Sequence, residues 1–136
     1  MQESRKVALR GKEANGMSNE PLNPVSIEQA IRECATHIAK GVTVVSNAYS
    51  AFLAADRAYD QAFARAYIEA GGAAHERKYI AELATVGERE ARDVADAAYR
   101  YARDRARALE NELMALQSVS KSVRGMYAAA GRGEGA

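Results

Sequence analysis

From Ile27 onward, apolar residues recur three or four positions apart: Ile27, Ile31, Cys34, Ile38, Val42, Val45, Tyr49, Phe52, Ala55, Tyr59, Phe63 and Ala66. The mean step is about 3.5 residues, the period of an α-helix that buries one face against another helix. A start signal precedes the stripe in "NPVSIEQAI". Ser26 is read as the N-cap, with Gln29 completing a capping box and Pro24 just outside. The stripe crosses Gly41 without losing phase. "GVTVV" is therefore read as helix in spite of its β-branched residues, with Gly41 costing about 1 kcal/mol against alanine. Gly71 and Gly72 end the element and suit a left-handed cap followed by a tight reversal. The first helix is thus expected over about 26–70.

A second stripe comprises Ile80, Leu83, Val86, Ala91, Val94, Ala98, Tyr101, Arg105, Leu109, Leu113, Leu116, Val119, Val123 and Met126. It predicts one helix over about 74–127, roughly 80 Å long. Glu76 sits favourably in its first turn, and Gly87 is its only interior breaker. Residues 129–136 read as a flexible tail. Residues 1–24, "MQESRKVALRGKEANGMSNEPLNP", are mostly polar and rich in turn formers. They read as a disordered arm, with Val7–Leu9 its one apolar segment and Met17 an alternative start. The expected architecture is all-α. It is a long antiparallel helical hairpin over 25–128 with coiled-coil-like packing into a homo-oligomer, because helices of this length are rarely stable alone.

Composition strengthens the expectation of self-association. Thirty of the 136 residues are alanine, Trp is absent, and there are two Phe. The hydrophobic fraction of 48% therefore overstates the core, since a methyl group buries little area. The seam between subunits is assigned to Tyr101, Arg105, Leu109, Leu113, Leu116, Val119 and Val123. Cys34 has no internal disulfide partner and lies in the apolar pattern, so it reads as a buried, inert thiol. No apolar run reaches the length of a membrane span and no signal peptide is visible. A cytoplasmic protein with no membrane partner is expected.

With a net charge of +1, no global field draws the chain to a polyanion, and any such binding must come from local clustering. Metal-ligand, phosphate-loop and dinucleotide motifs are missing from the sequence. The two histidines, His37 beside the first stripe and His75 at the glycine pair, form no constellation. An enzyme is not expected, nor a cofactor or metal. Carboxylates fall at helical spacing from bases, as in Glu88–Arg92, Asp96–Arg100 and Arg100–Asp104. In "YRYARDRARALENEL", Arg100, Arg103 and Arg107 advance by three and four and form one ridge. Acidic residues outnumber basic ones over Glu76–Asp96, and the reverse holds over Arg100–Arg132. The ridge reads either as a solvated face with salt bridges between subunits or as a set of phosphate contacts. Tyr67, Tyr79 and Tyr99 flank basic residues, an interleaving that suits stacked bases of a single strand.

Two stretches carry a resemblance. "ARAYIEAGG", Ala64–Gly72, resembles the close of the first helical region in the UvsY family of phage recombination mediators. "VADAAYRYARDRARALENELMALQSVSKSVRGMYAAAG", Val94–Gly131, resembles that family's C-terminal helix in its aromatic placement and its alanine–glycine ending. The resemblance implies a ring-like homo-oligomer that binds single-stranded DNA, helps displace a single-strand DNA-binding protein and loads a recombinase. The family's basic motif sets a lysine and an arginine around one alanine. Arg65 matches the arginine, but Phe63 stands at the lysine position. Arg57, Arg77 and Lys78 are expected to compensate at the hinge, with Arg100, Arg103 and Arg107 as further DNA contacts. The alternative is a coiled-coil scaffold or adaptor of a phage, without nucleic-acid binding.

Overall fold

The computed structural model describes residues 23–133. Residues 1–22 of the arm expected over 1–24, and residues 134–136 of the tail expected over 129–136, lie outside the described residues. Three helices run in order: α1 Pro24–Ala70, α2 Ala74–Ala84 and α3 Val86–Gly133. The described residues are all-helical, as the periodicity predicts, and both α2 and α3 pack on α1.

The start of α1 differs from the sequence reading. Asn23, not Ser26, is the N-cap: its side-chain oxygen accepts from the Ser26 backbone N–H at 2.9 Å. Pro24 then occupies the first helical turn, where a fixed φ and a missing N–H cost nothing. Gln29 donates to Glu33 at 3.3 Å instead of reaching back to a cap. At the other end Gly71 takes φ 63 and ψ 174. This is positive φ as expected, but with an extended ψ that glycine alone adopts readily. Gly41 sits within α1 without a break.

The single second helix expected over 74–127 is interrupted at Thr85, which takes φ −117 and ψ 22. Its hydroxyl donates to the Ala81 carbonyl at 2.7 Å, a back-bond that bends helices. Its own carbonyl accepts from Arg89 N–H at 3.0 Å and so opens α3. The β-branched pair Thr85–Val86 followed by Gly87 is a run of weak helix formers, which makes this the cheapest place to break. At the far end α3 continues through Ala128–Ala130 to Gly133, consistent with the high helix propensity of alanine.

Contacts between α1 and α3 run in opposite order along the two helices. Arg124 lies 3.9 Å from Glu28. The Cys34 thiol donates to the Leu109 carbonyl at 3.3 Å. Tyr49 meets Tyr99 with ring centroids 5.1 Å apart, and Arg92 lies 3.9 Å from Asp56. The seam keeps a strict alternation of steps of three and four. On α1 it comprises Ile27, Ile31, Cys34, Ile38, Gly41, Val45, Ala48, Phe52, Ala55, Tyr59, Ala62 and Ala66, all buried or half-buried. On α3 it comprises Glu88, Arg92, Ala95, Tyr99, Ala102, Ala106, Leu109, Leu113, Leu116, Ser120 and Val123. This corrects the second stripe. Ala91, Val94, Ala98, Tyr101 and Arg105 stand one position off the seam and are exposed. The physical reason is phase: three successive steps of four, from Tyr101 through Arg105 and Leu109 to Leu113, carry the expected stripe around the helix, whereas the face that holds Leu109 and Val123 against α1 runs back through Ala106, Ala102, Tyr99 and Ala95.

Candidate nucleic-acid and assembly surfaces

A two-helix seam leaves two flanks, and here they differ in chemistry. On one flank lie aromatic rings and arginines. Arg103 stands 5.6 Å over the Tyr99 ring, Arg92 stands 4.5 Å over Tyr59, and Arg77 stands 6.0 Å over Tyr67. Tyr59, Phe63 and Tyr67 form a row with centroids 6.1 and 6.4 Å apart. Guanidinium over an aromatic face is favourable through the ring quadrupole, so each pair holds its arginine beside a ring. Arg92 is a seam residue whose role the sequence did not reveal. It reaches Asp56 across the seam and Asp93 at 3.5 Å, rather than the expected Glu88.

The ridge Arg100, Arg103 and Arg107 lies on this aromatic flank, next to the Tyr49–Tyr99 pair, and all three are exposed. Arg100 binds Asp96 at 3.1 Å and Arg103 lies 4.0 Å from Asp104. Exposed pairs of this kind are weak and exchange readily with solvent. Arg107 has no carboxylate within 4 Å among the described residues. The facing stretch of α1 has no carboxylate between Glu33 and Asp56. The middle of the rod is therefore locally basic although the chain as a whole is nearly neutral.

The hinge residues do not gather. Arg57, Arg65 and Lys78 are exposed, while Arg77 is half-buried with its Nε hydrogen enclosed and unpartnered among the described residues. Arg77 packs over Tyr67. Arg65 precedes Tyr67 by two residues, about 200° around the helix, and so points to the other side. Helix phase thus separates the two arginines that the sequence reading set together.

The second flank is alanine-rich. An open groove of about 400 Å³ runs between α1 and α3, lined by Gly41, Val44, Ala48, Ala98, Tyr101 and Ala102, with His37, Lys40 and Arg105 beside them. His37 is exposed. The seven residues assigned to a subunit seam divide between this flank and the interior. Leu109 and Val123 are buried against α1, and Leu113 and Leu116 are half-buried there. Tyr101 is 69% exposed, and Arg105 and Val119 are also exposed. Cys34 is buried, as expected. Desolvation, then the nearby negative charge of Glu112, pushes its thiol pKa up, which keeps it protonated and unreactive.

Among the described residues no cluster of three or more His, Cys, Asp or Glu side chains is arranged to hold a metal ion. No helix among them is long and apolar enough to cross a membrane. No family model matches the chain, and no curated protein or solved structure matches it either.

Proposed function

We propose that this chain binds single-stranded DNA as a homo-oligomer of antiparallel hairpins, and acts as a phage-type recombination mediator in the cytoplasm of a bacterial host. Its further partners on this reading are a recombinase and a single-strand DNA-binding protein. It carries out no chemistry of its own. One observation carries the proposal: the exposed ridge Arg100, Arg103 and Arg107 stands beside the Tyr49–Tyr99 pair, opposite a stretch of α1 that has no carboxylate. Arginines spaced along a helix track phosphates, and adjacent tyrosine faces accept stacked bases without regard to sequence. The UvsY-like stretches supply the mediator role.

The test is fluorescence anisotropy of a labelled oligothymidylate at low salt. Affinity should fall steeply with salt, and replacing Arg100, Arg103 and Arg107 together with alanine should lower the salt slope by about two. The same variant should keep its helicity, because all three positions are exposed. Replacing Arg65, Arg77 and Lys78 should have the smaller effect. The reverse ranking would move the site to the hinge, and absence of binding at low salt would leave the scaffold reading in its place.

A further inference from the structure

We infer that the alanine-rich flank of α3 is where two copies of this chain pair, antiparallel about a two-fold axis, with Arg105 of each copy against Glu112 of the other. The inference deepens the self-assembly part of the proposed function and rests on it.

The single chain is poor in core. Among the described residues the buried apolar side chains are Ile27, Cys34, Ala81, Ala102, Leu109 and Val123, whereas fifteen large hydrophobic side chains are exposed. Four of the latter, Val94, Tyr101, Val119 and Met126, fall in one pattern. From Ala91 to Met126, steps of three and four along this flank meet only Ala, Val, Tyr, Ser and Met, with two exceptions. The exceptions are Arg105 and Glu112. Both are exposed, and neither has an ion-pair partner among the described residues.

Their signs are opposite and their separation is one heptad, which makes the flank complementary to itself in one direction only. An antiparallel pairing centred between Ala108 and Leu109 sets each Arg105 against the other copy's Glu112. A parallel in-register pairing sets like charge on like, which is costly at an interface. The same centre places Ala98 opposite Val119 and Ala91 opposite Met126, small against large, as interdigitation requires. On this register the groove beside Gly41 and Val44 faces Val119 and Ala115 of the second copy and gives them an apolar bed. The strip is about 50 Å long and about one helix, ~10 Å, wide, so a pair buries ~1,000 Å², the floor for a specific interface. A contact in which the same patch meets itself closes at two copies.

A charge-swap series read by sedimentation velocity tests this. The wild-type chain is expected to sediment as a dimer. Arg105→Glu and Glu112→Arg should each weaken dimerisation by about tenfold or more, since each creates two like-charge contacts. The double variant R105E/E112R should recover wild-type association. Circular dichroism of each variant should be unchanged, both sites being exposed. A wild-type monomer would overturn the inference together with self-assembly. An oligomer indifferent to the single changes, or one that the double swap does not restore, would overturn this interface alone. Oligonucleotide binding by the double variant reads the DNA assignment separately, because neither residue belongs to the proposed DNA ridge.

Discussion

Two glycines of α1, Gly71 at its end and Gly41 in its interior, show how backbone geometry sets the effect of a single methyl group. Gly71 caps α1 at φ 63 and ψ 174, a region that side chains other than hydrogen make strained. Gly71→Ala should lower stability by about 1–3 kcal/mol even though an added Cβ meets nothing within 4 Å. Gly41 has the same open space but an ordinary helical conformation, so Gly41→Ala should raise stability by about 1 kcal/mol through helix propensity. Urea denaturation followed by circular dichroism gives both numbers. A destabilised G41A protein would indicate that the groove wall beside Gly41 is closely covered in solution. The glycine pair is legible as a helix end because turn chemistry is local. The cap at Asn23 is not, because Ser26 satisfies the same capping grammar, and only the backbone shows which side-chain oxygen meets an orphan N–H.

At the scale of elements, the existence of long helices is readable in the sequence and their phase is not. The stripe on α1 nearly matches the seam, with Gly41, Ala48 and Ala62 standing where Val42, Tyr49 and Phe63 are expected. On the first half of α3 the stripe is one position off throughout. An alanine-rich helix has two adjacent faces of similar size, and the expected stripe passes from one to the other in the steps of four between Tyr101 and Leu113. Packing follows the face continuous with Leu109 and Val123, on which Ala102 is buried while Tyr101 on the flank is exposed. Enlarging a seam alanine should therefore hurt more than enlarging a flank alanine. Ala102→Leu, at a position 8% exposed, should destabilise by about 1–3 kcal/mol through overpacking. Ala108→Leu, on the exposed flank, should leave chemical stability at low protein concentration within about 0.5 kcal/mol. Equal effects in thermal or urea melts would mean that the seam was assigned to the wrong face.

At the scale of the whole molecule, a two-helix rod with so few buried apolar residues has little stability to draw on by itself. If a second copy covers the alanine flank, association and folding are linked by mass action. The melting temperature should then rise with protein concentration, and the rise should disappear in R105E. A melting temperature independent of concentration over two decades would separate folding from pairing. The candidate DNA ridge belongs to this scale as well. Arg100, Arg103 and Arg107 are a ridge by spacing alone, but their setting comes from α1, which brings Tyr49 to Tyr99 and contributes no carboxylate opposite.

Features that depend only on neighbours along the chain are written in the order of the residues. Periodicity near 3.5 and high alanine content commit the described residues to helix, and two glycines divide α1 from α2. The tertiary structure decided the features that depend on which faces meet. It set the phase of the seam on α3, placed Arg92 against Tyr59 and Asp56, and broke the long helix at Thr85. It also separated Arg65 from Arg77 and left Arg105 and Glu112 as the two charges that α3 itself contributes to the alanine-rich flank. The reason is physical. Helix propensity is summed residue by residue, whereas the choice between two adjacent faces is made by which side chains meet α1 along the whole length of the pair.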